Sequence, residues 1–175
     1  MENRPTLKDS ADYQAWVGEL KERLRSLQLK AALAVNSVLL EFYWALGADI
    51  VEQQRTATWG DGFLKQLSQD LMAEFPEVKG FSLRNLQQIR RWYQFWTDNS
   101  AIAKQAASQS TPKVESRLFQ IPWWHNVVIV TKCKSREEAL YYVYQTIEFG
   151  WSRAALTHQI ECVLWQREVR AVSNF

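Results

Sequence analysis

DLMAEFPEVKGFSLRNLQQIRRWYQFW, residues 70–96, reads as two helices and the corner between them. A helix entering from Asp61 must stop by Glu74, because Pro76 lacks the backbone N–H and disfavours a helical residue before it. Gly80 and Phe81 supply the turn, and Ser82 is a residue type that caps helix N-termini. From there Phe81, Leu86, Ile89, Tyr93 and Trp96 make an inner stripe for a helix reaching about Trp96. Helix, short turn and helix together are the layout of a helix-turn-helix unit. The opposite face carries Arg84, Gln87, Gln88, Arg91 and Gln94, with Asn85 near the start. Glutamine, asparagine and arginine are the side chains that read base edges through paired hydrogen bonds, whereas a merely solvated face favours Glu and Lys.

The same corner recurs downstream. GWSRAALTHQI begins at Gly150 as GFSLRNLQQI begins at Gly80: glycine, aromatic, capping serine, then a leucine four residues on, Leu86 or Leu156. The second face offers Arg153, Thr157, His158 and Arg167 but is broken by Glu161 and Glu168, which suits packing better than phosphate. Arg153 is the one residue of this face kept as a nucleic-acid candidate.

Upstream, Tyr13, Trp16, Val17, Leu20, Leu24 and Leu27, then Leu39, Phe42, Tyr43, Leu46 and Ile50, keep a helical spacing from about Ser10 to Gln54. This is one very long helix or two joined near residues 28–30. At 1.5 Å per residue, about 45 residues span roughly 65 Å, longer than a small domain, so the far end is expected to bury itself against another chain. Residues 1–55 are therefore read as a helical segment for homo-oligomer formation, and 56–175 as the helix-turn-helix region. Residues 99–114 are small and polar and read as an exposed loop. Pro122 suits a first helical position, while Val127–Val130 is β-branched and fits either a helix or a short strand. Ser135 with Glu138 is a capping box, Gly150 ends that helix, and Ser152 opens a last one reaching at least Val169. The fold class is all-α: a helical bundle with a long N-terminal helix and helix-turn-helix units.

The formal net charge of +2 is unevenly spread. Residues 104–136 hold six basic residues against Glu115, a net +5, and residues 82–98 hold three against Asp98, a net +2. The flanks 61–79 and 137–175 each come to −2. Clustered positive charge is the footprint of a polyanion binder, and it adds Lys132, Lys134 and Arg136 to the candidates. No apolar run approaches the ~20 residues of a membrane span, and the charged first thirty residues lack a signal peptide's apolar core. Cytoplasm is the default compartment. Cys133 and Cys162 form no zinc or disulfide pattern, and His125 and His158 have no ligand-spaced partners. Glu77-Val78-Lys79 spells a (D/E)xK triplet, but it falls in a turn after Pro76, where the nuclease motif requires a strand. Without a glycine-rich phosphate loop either, no catalytic, metal or small-molecule cofactor residue is assigned.

FYWALGADIVEQQ (42–54), Trp59-Gly60, DLMAEFPEVKGFSLRNLQQIRRWY (70–93), IPWWHN (121–126) and GWSRAALTHQIE (150–161) together resemble the YhcG-like family across nearly the whole chain. That resemblance implies a helical DNA-binding N-terminal domain. It also implies a PD-(D/E)xK nuclease domain after residue 175, using a divalent metal such as Mg²⁺ in DNA recombination, repair or defence. On this expectation DNA is the partner of the present chain and the chemistry belongs to the absent domain. The competing expectation is an assembly scaffold whose contact with DNA is incidental.

Overall fold

The computed structural model describes residues 11–56, 62–98 and 111–173, and every regular element among them is an α-helix. α1 is one unbroken helix, Ala11–Thr56, so the alternative of two helices joined near 28–30 does not hold. α2 (Phe63–Glu74) and α3 (Leu83–Thr97) follow. Then come α4 (Thr111–Leu118), α5 (Trp123–Lys132) and α6 (Arg136–Phe149). α7 (Arg153–Glu161) and α8 (Leu164–Ser173) complete the order.

The core forms where α1 crosses α3, the most extensive helix pair in the molecule. Leu40, Tyr43, Gly47 and Ile50, spaced at helical intervals, bury one face of α1 against Leu86, Ile89, Trp92 and Trp96 of α3. The crossing needs a glycine at position 47: a Cβ there would lie 2.7 Å from Tyr93 Cβ and 3.2 Å from the Ile89 carbonyl oxygen. α5 packs on α3, α6 and α7 pack on α5, and α8 packs on α6 and α7. Residues before and after position 56 therefore share one core.

Tryptophan binds these layers together. Trp92 is fully buried and meets Trp44, Trp123 and Phe119 edge-on or tilted, with ring centroids 5.1, 5.2 and 6.3 Å away. Its indole N–H donates to Asn126 Oδ1 at 3.2 Å, and Asn126 Nδ2 donates in turn to the carbonyl of Leu118 at 3.0 Å. Asn36 of α1 donates to the carbonyls of Phe119 and Ile121, both at 3.2 Å. Buried amides thus satisfy the carbonyls left free where α4 ends and α5 begins, as burial of backbone polar groups demands.

Several expectations need correction. Residues 127–130 are helical, and Pro122 caps α5 one position before its first turn. Residues 111–114, read as loop, belong to α4, with Pro112 in its first turn; positions 99–110 lie outside the described residues. Ser135 Oγ accepts from the Glu138 N–H as a capping box requires, but Glu138 reaches back to the Lys134 N–H at 2.8 Å rather than to Ser135. The helix from Ser152 stops at Glu161 and does not run on to Val169. The break sits at Val163, whose φ of 49° is a left-handed conformation that a β-branched residue rarely adopts. Tertiary contacts hold it: Trp165 stacks at a tilt on Tyr141, 5.2 Å between centroids, and its backbone N–H donates to the Tyr142 hydroxyl at 3.2 Å.

Among the described residues, Ala31–Thr56 is long and apolar enough by length and composition to cross a membrane. The expectation that no apolar stretch approaches that length is thereby corrected; Asn36, Glu41 and Asp49 break the run in the sequence without removing its apolar average. One face of this segment is committed to the α1–α3 core.

Candidate nucleic-acid interface

α2, the turn 75–82 and α3 form a locked corner. Ser68 Oγ of α2 donates to the Phe81 carbonyl at 2.7 Å. Ser82 Oγ accepts from the Asn85 N–H at 3.3 Å and so caps α3. Gly80, at φ 147°, runs beneath Tyr43, and a Cβ there would collide with the Tyr43 hydroxyl oxygen at 2.4 Å. Burial raises the Tyr43 hydroxyl above its ordinary pKa, and the Asn85 hydrogen bond offsets part of that rise.

The corner sorts the sequence candidates on α3 into two groups. Arg84, Gln87, Arg91 and Gln94 are all exposed, and their spacing of three, four and three places them in one line along the outer face. Asn85 is not on that face. Its side chain is buried, Nδ2 donates to the Gly80 carbonyl at 2.7 Å, and Oδ1 accepts from the Trp123 indole N–H at 2.8 Å. Every strong hydrogen-bonding direction of that amide is used inside the protein, so Asn85 is a corner brace. Gln88 is half-buried with its Oε1 shielded from solvent, which turns it away from the line as well. Arg90 is also half-buried.

The basic segment is less free than its +5 implies. Lys132 Nζ lies 2.8 Å from Glu161 Oε1, and this partner lowers the Glu161 carboxyl below its ordinary range. The Arg117 guanidinium sits 5.8 Å from the centroid of the Tyr144 ring. Lys134 is exposed, and Arg136 is half-buried at the start of α6. The second corner, α6–Gly150–α7, is closed by Gly150 at φ 60° and by Ser152, whose Oγ accepts from the Ala155 N–H at 3.2 Å. Arg153 is exposed on it, in a shallow depression also lined by Thr157, His158 and Glu161.

Sites for chemistry are scarce. Among the described residues no three His, Cys, Asp or Glu side chains are grouped to hold a metal ion. Glu77, Val78 and Lys79 are exposed in the turn between α2 and α3, not on a strand. His125 is buried; its Nε2 donates to the Trp151 carbonyl at 2.9 Å and its Nδ1 has no partner. It lines a largely apolar cavity of about 730 Å³ with Leu33, Phe119 and Trp151, where no second ionisable group converges on it. Burial pushes the Cys133 thiol up to about 12, so it is an inert core residue.

An all-helical module with two serine-capped corners, one of them presenting an arginine- and glutamine-bearing helix, is the class this architecture defines. The chain belongs to the DUF1016 N-terminal domain family, whose model matches residues 19–167. It is similar to the Escherichia coli (strain K12) protein named "Putative nuclease YhcG", 24% identical over 180 residues that cover 90% of this chain. The match takes in 47% of that relative, so the chain spans about half its length. No solved structure matches the chain.

Proposed function

We propose that this chain is the DNA-binding module of a nuclease, and that duplex DNA lies along the outer face of α3. The observation that carries the reading is the exposed line Arg84, Gln87, Arg91 and Gln94 on a helix whose inner face is fixed in the core. Two arginines seven residues apart, about 10 Å along the axis, reach phosphates or guanine edges while the amides lie over the groove floor. The similarity to a protein named as a nuclease supplies the setting: this module holds DNA, and cleavage belongs to a partner domain with its own divalent metal. Lys134, Arg136 and Arg153 are placed as secondary phosphate contacts, and Lys132 only when its pair with Glu161 opens.

A second reading, favoured by the exposed Val35, Val38, Leu39 and Phe42 of α1, is an assembly module for which DNA is incidental. Electrophoretic shifts with duplex, branched and single-stranded DNA of one length separate the two. The DNA-binding reading expects a duplex or branched complex that weakens steeply between 50 and 200 mM salt, with a log–log slope of about −2 to −4 for two to four phosphates. Absence of any shift at 50 mM salt removes it.

A further inference from the structure

We infer that α1 pairs with α1 of a second copy, antiparallel, about a two-fold axis near residue 36. This gives the assembly reading a specific geometry and rests on it. The outer face of α1 shows Ala31, Val35, Val38, Phe42 and Ala45 exposed, with Val35 at 70% and Phe42 at 49%. The line lies about 140° round the helix from the core face of Leu40, Tyr43, Gly47 and Ile50. Towards the N-terminus the sequence continues it through Leu27, Leu24, Leu20 and Val17. Steps of three and four throughout are the pattern of helices that pack knobs into holes. Every residue in the first half of α1 whose exposure is described, Ala15, Glu19, Lys21, Glu22, Ser26 and Ala31 to Val35, is exposed. Helices owe most of their stability to packing of an apolar face, and none of the residues just named is buried within the chain.

Charge selects the direction. Residues 20–31 carry Lys21, Arg23, Arg25 and Lys30 against Glu22, a net +3. Residues 41–52 carry Glu41, Asp49 and Glu52 with no basic residue, a net −3. An antiparallel pair centred on residue 36 sets residue i against 72 − i, so each basic stretch faces an acidic one and the match occurs twice. A parallel pair sets like charge against like. The same register brings Val38 opposite Ala34 of the second copy, large against small, and Phe42 opposite the aliphatic stem of Lys30. Such a contact is isologous and closes as a dimer. It also separates the two α1–α3 crossings at Gly47 by 22 residues, about 33 Å along the axis. That is close to the ~34 Å between half-sites on one face of a duplex.

The test uses the full chain with Cys162→Ser, which removes the exposed thiol and leaves only buried Cys133. Light scattering on a sizing column should give twice 20.5 kDa, returning to the monomer in Val35→Glu/Val38→Glu with far-ultraviolet dichroism still helical. Val35→Cys lies beside the axis and should cross-link to a dimer under mild oxidation. Exposed Gln53→Cys, about 51 Å from its mate, should form at least tenfold less. A monomer across micromolar concentrations overturns the assembly reading itself. A dimer in which both cysteines cross-link equally overturns the antiparallel geometry and leaves assembly standing.

Discussion

Trp92→Ala should lower the free energy of unfolding by about 3–5 kcal/mol, the range for deleting a fully buried large aromatic side chain. Trp92 has no exposed surface and touches aromatic rings from α1, the α4–α5 connection and α5. The neighbours come from separate helices and cannot all collapse into the space at once. Truncation also leaves Asn126 Oδ1 without its donor in the core, and that cost adds to the cavity. Domains of this size are stable by about 5–15 kcal/mol, so the variant should be marginal at 37 °C. Urea unfolding followed by dichroism measures it; a loss below 1 kcal/mol would mean that the three layers are not coupled through this ring.

Asn85→Ala should cost about 2–4 kcal/mol, although it removes only a small amide. The substitution strips a partner from the Trp123 indole N–H and from the Gly80 carbonyl, and each buried polar group left unpaired costs about 1–3 kcal/mol. Gln87→Ala, two residues along on the exposed face, should stay within about 0.5 kcal/mol of wild type. The comparison also separates the two roles open to Asn85. A base-reading asparagine would lose DNA affinity at unchanged stability, whereas a brace loses stability first.

The corners were legible because their signals are local. Pro76, Gly80, Ser82, Ser135, Gly150 and Ser152 each act within one turn of helix, and each stands at the boundary it announces. The polarity of Asn85 points to the outer face, whereas its position points to the core. It lies four residues before Ile89 and seven before Trp92, on the buried line, and that spacing was the available signal. The short helix at Thr111 also had a marker, Pro112 in its first turn, outweighed by the small polar composition around it. Other features have no local cause. The break at Val163 depends on Trp165 meeting Tyr141 and Tyr142, more than twenty residues back. Lys132 loses its freedom to Glu161, 29 residues away. The continuity of α1 follows from two different faces, one covered by α3 and one left bare, which a single apolar periodicity does not resolve.

Whether α3 meets DNA is decided most directly by fluorescence anisotropy of single alanine variants against one labelled duplex at two salt concentrations. Arg84→Ala and Arg91→Ala should each weaken binding by about 1–3 kcal/mol if they reach bases. If they reach phosphates, the loss should be similar on every sequence, with a salt slope shallower by about one. Half-buried Arg90, replaced in the same way, should matter less. Wild-type affinity in Arg84→Ala and Arg91→Ala, with binding lost instead in Lys134→Ala or Arg136→Ala, would contradict the assignment and move the DNA surface to the start of α6.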